Sequence, residues 1–452
     1  MSYMSIAFCT LPCIRMPAKI RGKNFYFFYG SMIRRCTFIV LFSLLAGADF
    51  IHAEDARYGI SGNPGAVDIL TGTGELGKLL QIPENTGIRL GGVWLGDENA
   101  LLSGRQSTQV LTGNSSLILD LSIDLEKAVK WKGGLFGVEF LQFNGQPTNT
   151  DAGVVQGYNS LPGPPPLNRS ELYQLWLRQE FFDNQFNVRI GKVVPTYHFN
   201  NVSKPVPTTK NPAISIPSVS GLIYTPIFTN PTLLGVIGGY YNSVYGIEST
   251  IAPIKEIYIN MGFYDGNLAR GVQTGLIGPH FNGYYFSILE AGYGWGAPKP
   301  GVAAIGGWYQ SGKLEAGGQV QTGTGGVYGF ASRALWIKES KTVSKGNLSG
   351  FFQFGWNNSR TLEMNLFFGG GLTAFAVIPN RPNDSFGIGL SWSRLNRHLF
   401  VRHSELMLQG YYQAQVYGSV YFQPVFSYIP NPGAHPDKSN VCAATARFIV
   451  LF

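Results

Sequence analysis

The sequence predicts an all-β protein, a transmembrane antiparallel β-barrel of about 16 strands, and three observations carry that reading. The 452 residues are rich in glycine (58) and aromatic side chains (14%) and poor in charge (13%). Apolar residues recur with period two through most of the chain. The last six residues, Arg447-Phe-Ile-Val-Leu-Phe452, form an alternating strand with Phe448, Val450 and Phe452 on one side. This aromatic content and low charge exclude disorder as the main state. Beyond the N-terminal region no apolar run reaches the roughly 18 residues a membrane helix needs.

Residues 1–53 read as a leader. Met32 serves as the start, Arg34 and Arg35 precede an apolar stretch from Phe38 to Ala48, and Ile51-His52-Ala53 fits cleavage before Glu54. Six of the 34 basic residues lie here (Arg15, Lys19, Arg21, Lys23, Arg34, Arg35), against Asp49 alone among the 26 acidic ones. The formal charge of +8 therefore belongs largely to the leader, and the near-neutral remainder implies no nucleic-acid partner. Cys9, Cys13 and Cys36 also fall in the leader, which leaves Cys442 with no disulfide partner.

After the leader, residues 54–86 read as a periplasmic or plug-like segment, with a helical turn over Gly74 to Leu80, and residues 87–452 as the barrel. Leu119, Leu121, Ile123 and Leu125 alternate with Asp120, Ser122, Asp124 and Glu126. Ile257, Ile259, Met261 and Phe263 oppose Glu256, Tyr258, Asn260 and Gly262. Further strands are expected at 136–142, 173–181, 186–192, 281–289, 331–338, 351–356, 362–368, 386–392, 406–413 and 420–428. A soluble sandwich would bury the apolar faces, whereas a membrane barrel turns them to lipid and lines water with the polar ones. The polar faces carry too much charge for a dry core. Closure also satisfies every backbone group in hydrocarbon. Strands of about ten residues with their connections use roughly 25 residues each, which sets the strand number, and such a barrel is wide enough for an aqueous channel. Two segments cannot be central strands: 146–169, with Pro162 to Pro166 nearly all proline, and 201–217, with Pro205, Pro207, Pro212 and Pro217. Both are long enough to fold over or into the channel mouth.

The segment Gly370-Gly-Leu-Thr-Ala-Phe-Ala-Val-Ile-Pro-Asn-Arg-Pro-Asn-Asp-Ser-Phe-Gly-Ile-Gly-Leu390 combines two glycine-rich strands with Pro-x-Arg-Pro-x-Asp. Together with 405–415, 420–433, Val188-Arg-Ile-Gly-Lys192 and Phe263-Tyr-Asp-Gly266, it resembles the carbohydrate-selective outer-membrane porins of the OprB type across nearly all of the mature chain. The resemblance implies a 16-stranded barrel in the outer membrane of a Gram-negative cell that passes glucose and other small neutral carbohydrates to the periplasm. A general or non-sugar substrate-specific porin is the competing reading. Outer-membrane lipids are the expected surroundings, and monomer and homo-oligomer stay open.

A neutral polyol is recognised by fixed donors and acceptors and by aromatic faces; the arginine fork offers five donors, and carboxylates accept from hydroxyls. Strand parity nominates Arg89, Asp120, Asp124, Glu139, Arg178, Arg189, Glu256, Glu363 and Glu405 for the lumen wall, with Trp176 beside Arg178 as a stacking surface. Trp94, Trp295, Trp308, Trp356 and Trp392 fit an interfacial girdle equally well. His198, His280, His398, His403 and His435 are dispersed, with no His-x-x-x-His, no Gly-x-Ser-x-Gly and no paired cysteines, so neither enzyme, metal nor cofactor is expected.

Overall fold

The computed structural model describes residues 75–104, 111–162, 166–182, 185–202, 221–239, 241–254, 256–295, 299–338 and 346–452. The leader, residues 54–74 and most of 201–217 lie outside the described residues. A short helix, Glu75–Leu79, stands where the helical turn was expected.

The first five strands are β1 (Ile88–Ser103), β2 (Leu111–Asp124), β3 (Gly134–Asn144), β4 (Asn168–Phe181) and β5 (Phe186–Val193). Then come β6 (Val244–Ile254), β7 (Ile257–Asp265), β8 (Tyr285–Trp295), β9 (Gly301–Ala316), β10 (Gln319–Ile337) and β11 (Asn347–Asn357). The wall ends with β12 (Met364–Phe375), β13 (Ser385–Leu395), β14 (Ser404–Tyr417), β15 (Val420–Ile429) and β16 (Val441–Leu451). Each pairs antiparallel with its sequence neighbours, and β1 closes on β16 from Val93↔Leu451 to Ser103↔Cys442. Closure leaves no strand edge to meet hydrocarbon.

The alternation sorts the side chains as expected. On β13 the outward column Phe386, Ile388 and Leu390 is exposed, Ile388 by 64%, while Gly387, Gly389 and Ser391 between them are buried. Similar apolar columns run down β7 (Met261, Phe263), β11 (Phe352, Trp356) and β15 (Phe426). Among the described residues no helix is long and apolar enough to cross a membrane.

Several strand readings need correction. Phe281 is not in a strand: Asp265 accepts from the backbone N–H of Asn267 and His280 and holds residues 266–284 as a structured loop, so β8 starts at Tyr285. Leu362 belongs to a tight turn held by the Ser359 hydroxyl, and β12 starts at Met364. Leu125 and Glu126 leave β2 for a one-turn helix, Leu125–Val129. Period-two reading missed β6 and β9. In β9 the inward positions include Gly306, where a Cβ would meet the Tyr328 ring at 2.2 Å. The strand gives up its own side chain to seat its neighbour's, and the alternation disappears.

Connections alternate between two ends. One end holds short links such as 182–185 and 418–419 and also the chain's start into β1 and its terminus. The other holds the long ones, 145–167 between β3 and β4 and 194–243 between β5 and β6. The described parts of both loops turn into the barrel, where Tyr158, Phe199, Ile223, Tyr224, Leu233 and Ile237 build an apolar core against wall residues including Trp176, Tyr258, Phe286, Trp308, Tyr328 and Tyr411.

Candidate functional site

The site is the lumen narrowed by these two loops. The β3–β4 loop crosses to the seam and to the far wall. Asn159 donates from Nδ2 to Asp97 Oδ2 (2.7 Å) and Asn99 Oδ1 (2.8 Å) on β1. Arg447 of β16 donates Nε and Nη2 to the two oxygens of the same Asp97, each at 2.7 Å. Three backbone N–H groups converge on the Glu405 carboxylate of β14: Val155 (3.0 Å), Gln156 (2.8 Å) and Gly433 (2.6 Å). The Gln156 side chain adds a donation to the Glu405 carbonyl (3.0 Å) and accepts from the Ser391 and Ser393 hydroxyls of β13 at 2.6 and 2.7 Å.

The β5–β6 loop is tied at more points. Asn200 N donates to Glu290 Oε2 of β8 (2.7 Å), a carboxylate that also accepts from the Tyr258 and Tyr328 hydroxyls. Asn230 caps the 3-10 turn Pro231–Leu233 and donates to the Phe354 carbonyl of β11, while Asn357 donates to the Thr232 carbonyl. Gln409 of β14 binds both loops at once, accepting from Ile223 N (2.6 Å) and Tyr224 N (3.2 Å) and donating to the Tyr158 carbonyl (3.0 Å). The loops also meet each other through Ser160 N to Ile223 O and Thr225 N to Gly157 O. Burial raises the phenol pKa values of Tyr158 and Tyr224, and pushes that of Tyr241 up to about 12, so these loop tyrosines remain neutral.

The wall around the constriction is divided by chemistry. From β1 to β8 its inward positions carry charge of both signs: the Arg169–Glu171–Lys192 group, Arg178 with Glu180 (2.8 Å), Arg189 with Glu248 (Nε to Oε2, 2.7 Å), and Glu290. From β9 to β15 the buried polar residues are mostly amides and hydroxyls: Gln310, Ser332, Gln353, Thr373, Gln413 and Gln423. Charge-based reading of the sequence overlooked that neutral half. Its signal, inward Gln and Ser alternating with outward Phe and Leu, is present on β13 to β15.

The sequence-predicted site residues separate into groups. Arg89 shares the inward parity of β1, and Asp120 and Glu139 face each other across β2 and β3 and are buried. A bulge at Tyr173 shifts the parity of β4, and beyond it Gln174, Trp176, Arg178 and Glu180 point inward. Trp176 is only 2% exposed. Its ring lies over Gly137, where a Cβ would fall 2.2 Å from it, and beneath the Arg189 guanidinium at 5.5 Å. The partner of Trp176 is thus Arg189 and not Arg178.

Others stand elsewhere. Asp124 is an N-cap, accepting from Glu126 N and Lys127 N at the end of β2. Glu256 lies in the β6–β7 turn and exposed Glu363 in the β11–β12 turn, because each stands one residue before the strand whose alternation suggested it, β7 at Ile257 and β12 at Met364. Glu405 is completely buried as a loop anchor. Trp308, expected in a girdle as readily as elsewhere, is buried inside beside Phe286.

A closed 16-stranded barrel with lipid-facing apolar columns, a polar lumen and inward-folded loops defines an outer-membrane porin. Within that class the chain belongs to the carbohydrate-selective porin, OprB family, whose pattern matches residues 112–452. Porin B of Pseudomonas aeruginosa is 22% identical over 389 residues, covering 74% of this chain and 80% of that protein. Among solved structures, the high-pH structure of Pseudomonas putida OprB aligns with a TM-score of 0.71 at 14% identity, over 84% of this chain and 97% of the other. The low-pH structure of the same protein gives 0.55 over the same shares. At that identity the likeness establishes the fold.

Proposed function

We propose that this porin conducts small neutral carbohydrates by passive diffusion, with selection at the constriction to which residues 145–162, 194–202 and 221–239 contribute. The observation that carries the reading is the pairing of opposite charges around the lumen: Arg178 with Glu180, Arg189 with Glu248 and Arg447 with Asp97 leave no wide field of one sign to favour ions. What the wall offers instead is hydrogen bonding. Ser332, Gln353 and Thr373 on the adjacent strands β10, β11 and β12 have side-chain polar atoms without a hydrogen-bond partner, and a sugar hydroxyl supplies both donor and acceptor. On the charged side Arg89, Asp120, Glu139 and Arg178 are the candidates for hydroxyl contact.

Liposome swelling at matched osmolarity tests this, with glucose, larger saccharides, amino acids and salts as solutes. Glucose is expected to enter faster than amino acids of similar size. Equal rates for sugars, amino acids and anions would instead support the general porin. Replacing Arg178 by Ala is expected to slow sugar entry while salt conductance in planar bilayers stays near wild type.

A further inference from the structure

The outward column of β13 reads Phe386, Ile388, Leu390, Trp392 and Arg394, and it ends at the long-loop rim of the barrel. Four apolar or aromatic residues facing lipid are followed by an exposed cation on the same side. At about 3.4 Å per residue Arg394 lies roughly 7 Å beyond Trp392 along the strand. Trp392 packs on Phe368 of β12 with centroids 6.0 Å apart, and Trp356 is exposed on β11, so this sector has an aromatic belt directly below the arginine. Aromatic residues of this kind mark headgroup depth.

The turn after β13 is rigidly built and adds more positive charge. Asn396 is buried and donates its backbone and side-chain N–H to the Glu363 and Leu362 carbonyls of the neighbouring turn, at 2.8 and 2.7 Å. Its own carbonyl accepts from Leu399 N and Phe400 N. Arg402 is spent on the β15–β16 loop, donating to Asn431 Oδ1 and the Pro436 carbonyl. Arg397 and His403 are exposed on this turn, beside Val401 at 79% exposure, and Arg360 is exposed on the adjoining one. Among the described residues the side chains of Arg360, Arg394 and Arg397 have no ion-pair or hydrogen-bond partner. The carboxylates of the sector are Glu315, which pairs with Lys313, Glu363 on the Arg360 turn, and Asp437 in the β15–β16 loop that Arg402 grips; the basic residues Arg360, Arg394, Arg397 and Arg402 outnumber them.

We propose that Arg394, with Arg397 and Arg360, forms a binding site for the phosphate groups of lipid headgroups in the leaflet at the long-loop end. A cation placed on the lipid side at interfacial depth meets headgroup and not channel water, and is drawn to an anionic surface there. Planar guanidinium forks match phosphate oxygens. The site is independent of which solute passes through the lumen.

The test uses the purified barrel in a zwitterionic detergent. A glucosamine-disaccharide lipid carrying two phosphates, the same lipid stripped of them, and inorganic phosphate are each titrated, with bound lipid counted by native mass spectrometry. Wild type is expected to retain the phosphorylated lipid at least about tenfold more tightly than the stripped one. The triple variant Arg360→Gln, Arg394→Gln, Arg397→Gln is expected to lose that difference while keeping its single-channel conductance. Arg333→Gln, which removes an exposed outward charge from β10 near the short-turn end, is expected to bind as wild type does. Should the triple variant fail to fold, Arg394→Gln alone is expected to weaken retention severalfold. Equal binding of the two lipids by wild type, unchanged binding by the folded arginine variants, or full displacement by inorganic phosphate at the lipid's own concentration would each overturn the proposal.

Discussion

Glu405 ties infolded loops to the barrel wall through one carboxylate. It faces the lumen, but three backbone N–H groups from two loops occupy its carboxylate. Removing it strands those buried donors, and each unsatisfied group costs about 1–3 kcal/mol. The cheaper response is for the β3–β4 loop to detach. Glu405→Ala is therefore expected to raise single-channel conductance and admit larger saccharides in swelling assays, with the barrel still closed by gel mobility. A variant with wild-type conductance would show that Asn159 and Gln409 hold the loop without it. Alternation nominated Glu405 for the lumen wall; the loop that reaches it from some 250 positions away was not legible, because nothing local marks which loop folds inward.

At the scale of elements, two devices hold strands in register. The first is the seam, where Arg447 of β16 and Asp97 of β1 form a buried bidentate pair joined by Asn159. Breaking a buried pair from one side leaves an uncompensated charge and costs about 3–5 kcal/mol. Arg447→Ala is expected to lower the stability measured by denaturant titration in detergent by that order, whereas a loss below about 1 kcal/mol would mean that water reaches Asp97. The second is the turn Pro379-Asn-Arg-Pro-Asn-Asp384 between β12 and β13, the most distinctive string in the sequence. Arg381 Nε donates to Asp384 Oδ2 (2.7 Å), and Gln415 N of β14 donates to Asp384 Oδ1 (3.0 Å). The motif fastens three strands at the short-turn end and lies away from the constriction. Asp384→Ala is expected to lower the temperature at which the folded band converts to the unfolded one in electrophoresis, with sugar selectivity unchanged. A change in selectivity without loss of stability would contradict this structural role.

For the whole molecule, a closed sheet whose backbone groups are all paired should resist detergent denaturation as a unit. The protein is expected to migrate anomalously until boiled, and its circular dichroism to be dominated by β-structure. A helical fraction above about a third, typical of soluble proteins, would be incompatible with the wall described. The apolar exterior, exemplified by Ile305, Ile388 and Phe426, requires lipid or detergent, so removal of both should cause aggregation and not a soluble monomer.

The strand period, the apolar outside, the charge balance and the family were legible in the sequence because each rests on local alternation or on contiguous strings. Strands were lost where alternation breaks down, as in β9, where glycine accommodates the Tyr328 ring, and parity shifted where the bulge at Tyr173 adds one residue. Only the tertiary structure decided what each inward residue does. Glu405 and Gln409 hold loops, Trp176 lies under Arg189, and Asp97 and Arg447 close the seam. The reason is physical: alternation sets which way a side chain points, whereas its partner inside a barrel comes from an opposite wall or an infolded loop, and that contact depends on closure of the whole sheet.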